Sequence, residues 1–147
     1  MILNMKYLLP ILLLPLWCSC GRYQSPVPDF PVHLERDLNT LNCLFPGDYW
    51  MLTSPHYAVD ATGYAGVLLV KGFDGAYYAF DLCCPVEASQ AVRVGKPDEV
   101  LCVSCPKCGE TYDLGFGQGT PMNGISEYPL KRYTVYLPSY QAVLIRN

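Results

Sequence analysis

The sequence predicts an all-β domain, a small antiparallel sandwich or barrel, and three observations predict it. Short apolar runs rich in β-branched and aromatic residues recur along the chain, each closed by Gly, Pro, Asp or Ser. An Asp-Gly pair, Asp74-Gly75, stands between two of them, where a hairpin turn needs it. Nowhere does a helical spacing of apolar residues persist for three turns.

The first stretch of the 147 residues stands outside that domain. Lys6 precedes an apolar run, 7–17 (YLLPILLLPLW), which ends in Cys18, Ser19, Cys20 and Gly21. Positive, apolar and small residues in that order form a secretory signal, too short to cross a bilayer as a helix. Because the run stops in cysteine, it resembles a bacterial lipoprotein signal, which implies cleavage before Cys20 and acyl chains on that residue. Ser19 in front of Cys20 favours it over Cys18, which follows the bulky Trp17. Trp17 in turn stands where that pattern prefers Leu. Each buried CH₂ of an acyl chain adds roughly 0.8 kcal/mol, so two or more chains anchor stably. The expected organisation is a signal peptide at 1–19, a tether at 20–31 and one β domain at 32–147. The expected location is the bacterial cell envelope, lipid-anchored outside the cytoplasm, with the membrane as a partner through Cys20.

The expected strands follow in order: Val32 to Glu35, Tyr49 to Leu52, Val67 to Lys71, Tyr77 to Leu82, Ala91 to Val94, Val100 to Ser104, Arg132 to Leu137 and Ala142 to Arg146. In the seventh, Tyr133, Val135 and Leu137 alternate with Arg132, Thr134 and Tyr136, which gives one apolar face and one mixed face. The formal charge of −3 is mild and no run of Lys or Arg exists, so no nucleic-acid partner is expected. Twelve tyrosines invite a carbohydrate- or protein-binding face, but half-buried positions on sheets explain them more simply.

Cysteine is where chemistry enters. Once Cys18 is lost and Cys20 lipidated, Cys43, Cys83, Cys84, Cys102, Cys105 and Cys108 remain. In an exported chain, disulfides and metal binding both have to be weighed. Cys105-Pro106-Lys107-Cys108-Gly109 forms a knuckle that turns two sulfurs and several backbone N–H groups toward one point, as thiolate ligation of zinc or iron requires. A second pair has to come from elsewhere, and Cys83-Cys84-Pro85 at a strand end can supply one or both members. Adjacent residues in a strand face opposite ways, so one of the two can face the site and the other the core. Cys102, within VLCVS, and Cys43, within LNTLNCLF, read as structural thiols. His33 and His56 lie far upstream of both cysteine segments and read as surface or hydrogen-bonding residues. Glu87 reads as a solvated loop residue, with an oxygen-ligand role if Cys83 points away.

From about Val67 onward the chain resembles a Rieske domain. GVLLVKGFDGAYYAFD is similar to the hairpin that leads into the first cluster loop, CCPV occupies the place of the first Cys-x-His, and CPKCGETYDL that of the Cys-x-x-His-Gly box. GQGTPMNG followed by PLKRYTV resembles the loop and return strand that close over the cluster. The resemblance implies the Rieske-like β fold and places Cys84 and Cys105 at the cysteine ligands. Val86 and Cys108 then fall where the two histidines belong. A Rieske centre has two cysteines on one iron and two histidines on the other. Val86 binds no metal, so that ligand set is excluded here. Lys107 also stands where some members carry a cysteine that pairs with the first loop, so that disulfide is not reproduced.

Three functions follow. The reading preferred from sequence is a membrane-tethered, non-enzymatic envelope module that has lost the standard [2Fe-2S] site, its loops clamped by a disulfide from Cys84 to Cys105 or Cys108, binding or supporting an envelope protein. The alternative is an electron-transfer protein in which Cys83, Cys84, Cys105 and Cys108 hold an all-cysteine [2Fe-2S] cluster or single iron for an envelope redox partner, at a potential lowered by the added thiolates. The third is a structural zinc site on the same cysteines. Neither a nucleophile beside a histidine and a carboxylate nor a cysteine pair at a helix N-terminus is present, which argues against an independent enzyme and against thiol exchange.

Overall fold

A computed structural model describes residues 24–147. The expected signal and the lipidation residue Cys20 lie outside the described residues. Among those described, no helix is long and apolar enough to cross a membrane.

The described residues form ten strands and one short helix: β1 (Val32–Asp37), α1 (Leu38–Leu41), β2 (Tyr49–Leu52), β3 (Ala61–Thr62), β4 (Val67–Lys71), β5 (Tyr77–Asp81), β6 (Cys102–Ser104), β7 (Thr111–Asp113), β8 (Thr120–Pro121), β9 (Arg132–Ser139) and β10 (Ala142–Arg146). Seven of them form an antiparallel sheet in the order β2-β4-β5-β9-β10-β1-β3, and β6-β7-β8 form a second. β9 joins the halves of the large sheet. Its first residues pair with β5 and its later ones with β10. The result is the all-β, near-closed antiparallel arrangement that the sequence predicts.

β4 shows why the chain folds this way. Val67 to Val70 are all buried, a continuous apolar run rather than an alternating one. Leu68 and Val70, with Phe80 of β5, face a core that includes Cys83, Cys84, Val94, Leu101, Val103 and Leu114. Val67 and Leu69, with Ala79, face a second core of Val32, Leu34, Leu38, Cys43, Val143 and Ile145. The β4–β5 hairpin therefore separates two apolar layers, and the cysteine loops grow from one of them. Its turn is the expected one: Gly75 has φ +81° and its N–H donates to the Gly72 carbonyl. Gly66, with φ +118°, brings the chain into β4 so closely that a Cβ there meets the Leu52 carbonyl at 2.6 Å.

Three expectations change. Ala91 to Val94 is not a strand; it makes a single bridge, Cys83 to Arg93, within a loop whose Arg93 Nε donates to the Ala65 carbonyl. The alternation in β9 holds at Tyr133 and Val135 and ends at Leu137, which is 52% exposed where the hairpin runs past the core. Cys102 is half-exposed rather than a core thiol, its sulfur 3.7 Å from that of Met122. Cys43 is fully buried, and burial with Asp48 nearby pushes its thiol up to about 11. The tyrosines are distributed unevenly: Tyr112 and Tyr133 are buried, Tyr77 and Tyr78 half-buried, and Tyr140 exposed.

Far from the cysteines, Arg36 of β1 reaches across to Asp60, at 2.6 Å, and lies over the Tyr57 ring. The same Asp60 oxygen accepts the N–H groups of His56 and Tyr57, each at 2.8 Å. Burial alone raises this carboxyl, but the Arg36 hydrogen bond and the two N–H groups outweigh it and hold it near 2, against an ordinary 3.8. A carboxyl lowered in the folded state stabilises the fold above its ordinary value and loses that contribution as pH falls toward 2. Denaturant midpoints measured between pH 4 and 2 are therefore expected to fall more steeply for the native chain than for Asp60→Asn. Parallel slopes contradict this.

Candidate metal centre

Two loops carry the site. The first leaves β5 at Asp81 and runs through Leu82 into Cys83 and Cys84. Asp81 is fully buried, and its carboxylate gathers the N–H groups of Tyr64, Ala65 and Cys83 together with the Tyr133 hydroxyl. Anchored by its N–H at 2.7 Å, Cys83 turns its sulfur to the carbonyls of Cys84 and Ser89, each at 3.5 Å. Burial, with Asp81 second, pushes the Cys83 thiol up to about 12. Cys84 faces the other way.

The second loop follows β6. The Cys105 N–H donates to the Glu110 carbonyl and the Gly109 N–H to the Cys105 carbonyl, closing the expected knuckle with Gly109 at φ +78°. Burial pushes the Cys105 thiol up, but the N–H groups of Cys108 and Lys107, with the thiols of Cys84 and Cys108, outweigh it and leave it below its ordinary value. Chiefly through burial, Cys108 is raised to about 11.

The loops meet. Sulfurs of Cys84, Cys105 and Cys108 lie within 4.8 Å of one another, and those of Cys84 and Cys108 are 3.6 Å apart. Cys84 and Cys105 are buried and Cys108 is half-exposed. Cys83 is not in that group. Tyr112 of β7 is buried, and its hydroxyl lies 3.5 Å from the Cys84 sulfur. Lys107 closes the rim by an ion pair with Glu87, whose carboxylate is thus committed to a lysine rather than aimed at the sulfurs. His33 sits exposed on β1, and His56 is exposed in the 53–60 loop against Tyr57. Val86 is 41% exposed and offers no donor atom.

This geometry overturns the preferred reading of the sequence. A clamp needs a sulfur–sulfur bond of about 2.0 Å. All six cysteines among the described residues are free thiols, and Cys84 and Cys108 stand at 3.6 Å. A site that had been lost has no reason to keep three sulfurs converged, two of them buried. The set is intact.

No family model matches the chain, and no curated protein matches it. Solved structures do. The chain is similar to a complex of reduced oxygenase and oxidized ferredoxin in carbazole 1,9a-dioxygenase, with 17% identity, TM-score 0.49, and 78% of this chain and 93% of that one covered. The ferredoxin of carbazole 1,9a-dioxygenase from Nocardioides aromaticivorans IC177 gives 21% identity and TM-score 0.46 over 78% and 95% of the two chains. Sphingomonas yanoikuyae B1 ferredoxin gives 17% and 0.44 over 73% and 92%.

Residue types at their spacing pointed to Cys105 and Cys108, but two acidic residues that shape the site went unread. Asp81 and Glu110 are fully buried carboxylates, one at the base of each loop. The available signal was an acidic residue adjoining each cysteine segment.

Proposed function

We propose that this is an electron-transfer domain in which Cys84, Cys105 and Cys108 hold iron as thiolates. The convergence of those three sulfurs carries the reading. Around a tetrahedral ion with metal–sulfur bonds of about 2.3 Å, ligand sulfurs stand about 3.8 Å apart. The 3.6 Å between Cys84 and Cys108 fits one ion held between the loops. A four-cysteine [2Fe-2S] cluster fits less well, because the Cys83 sulfur is turned to carbonyls.

Iron on thiolates supplies one-electron redox chemistry. The chain's own residues supply the setting. N–H groups of Lys107 and Cys108 offset negative charge on the Cys105 sulfur. Val94, Leu101, Val103 and Leu114 form a dry wall behind Cys84 and Cys105. Half-exposed Cys108 brings the edge of the site to the surface, where a redox partner can approach. Lipid on Cys20 would add a membrane anchor at the cell envelope, a reading that rests on the leader's sequence pattern.

The test is the full chain purified without air. Tightly bound iron, thiolate-to-iron absorption in the visible and reversible one-electron reduction are expected. Zinc in place of iron, with no reversible reduction, turns the site into a structural one. A colourless chain that takes up no metal and shows fewer free thiols than cysteines sinks the proposal.

A further inference from the structure

Glu110 follows the second cysteine loop directly and is wholly buried, yet no cation approaches it among the described ion pairs. Its partners are main-chain N–H groups. Oε1 accepts from Thr111 at 2.9 Å, Met122 at 3.2 Å and Asn123 at 2.8 Å. Oε2 accepts from Ile125 and Ser126, each at 2.7 Å. Four of the five donors belong to the 122–126 segment after β8, which makes a tight turn at Gly124 with φ +72°. Buried carboxylates are costly unless they are this fully bonded.

The segment so gathered touches the site at two places. The Asn123 amide donates to the Gly109 carbonyl at 3.0 Å, beside Cys108. At the start of the segment the Met122 N–H donates to the Thr111 carbonyl at 2.8 Å, next to the β7–β8 pairing of Tyr112 with Pro121, and the Tyr112 hydroxyl stands 3.5 Å from the Cys84 sulfur. A path therefore leads from Glu110 through Met122 and strand β7 to the Tyr112 hydroxyl and a metal-holding sulfur.

We infer that Glu110 is a positioning residue of the thiolate site: its carboxylate latches the 122–126 segment onto the second loop and so fixes the Tyr112 hydroxyl against the Cys84 sulfur. The inference rests on Cys84, Cys105 and Cys108 being the metal-holding set. A glutamine of the same size cannot replace the latch. Its amide nitrogen must face either Ile125 and Ser126 or Thr111, Met122 and Asn123, donor against donor.

Glu110→Gln, Tyr112→Phe and the double variant test this in the full chain, loaded with Co²⁺ alone and also metal-free. With Co²⁺, Glu110→Gln is expected to shift the sulfur-to-metal absorption band in the direction that Tyr112→Phe shifts it, and the double variant to match Tyr112→Phe alone. In the metal-free chain, a thiol reagent is expected to label Cys84 about tenfold faster in Glu110→Gln than in the native chain, as loss of about 1.4 kcal/mol of latching gives. Unchanged band and labelling overturn the inference, as do shifts that simply add in the double variant. If the native chain takes no Co²⁺, the metal reading fails separately, and labelling still decides whether Glu110 holds the segment over Cys84.

Discussion

Replacing Cys84, Cys105 or Cys108 singly with alanine is expected to weaken metal binding by about a hundredfold or more, while Cys83→Ala leaves it within about threefold. The contrast is sharp because Cys83 and Cys84 are neighbours with equal burial. Orientation alone separates them. The Cys84 sulfur joins those of Cys105 and Cys108, whereas the Cys83 sulfur rests on two carbonyls. Competition for Co²⁺ or iron against a chelator of known affinity measures the effect. Equal losses at Cys83 and Cys84 would mean that the first loop rearranges to a four-thiolate set when metal enters, and the three-sulfur site would have to be abandoned.

Asp81→Ala is expected to destabilise the fold by about 3–5 kcal/mol, the cost of breaking a buried charged network from one side. The substitution strands the N–H groups of Tyr64, Ala65 and Cys83 and the Tyr133 hydroxyl in a fully buried place. Tyr133→Phe removes one member only and is expected to cost about 1 kcal/mol. Urea midpoints for the two variants, compared at equal slope, check both values. A loss under about 1 kcal/mol for Asp81→Ala would show that water satisfies those groups once the carboxylate is gone. Because Cys83 N–H is one of the four, Asp81→Ala is also expected to loosen Cys84 and weaken metal binding.

Much of the fold was legible because its central strands are chemically plain. Tyr49–Leu52, Val67–Lys71 and Ala142–Arg146 are the runs expected from their β-branched and aromatic residues. The strands that escaped notice are short. Ala61–Thr62 and Thr120–Pro121 are two residues each and exist only because β1 and β7 offer them partners, which no local pattern encodes. Thr111–Asp113, three residues long, begins just past the cysteine knuckle read at 105–109 and was not singled out. In the site, Cys-x-x-Cys spacing pointed to Cys105 and Cys108, and strand alternation allowed Cys83 and Cys84 to part while both stayed candidate ligands. Which of them turned inward depended on Asp81 capturing the Cys83 N–H, a contact fixed by the loop at Tyr64 and Ala65. The disulfide expectation failed because spacing shows which sulfurs can meet and not how closely they approach.

Lys131, next to β9, has an effect on how the chain enters the domain. Its ammonium group holds the carbonyls of Val27 and Pro28 and the carboxylate of Asp29, while Val27 itself is 2% exposed in the core behind the cysteines. The chain thus enters the domain through a knot rather than a swivel. The entry point at Val27 therefore sits directly against the apolar layer that backs Cys84, so strain on the chain there is felt at the cysteine site.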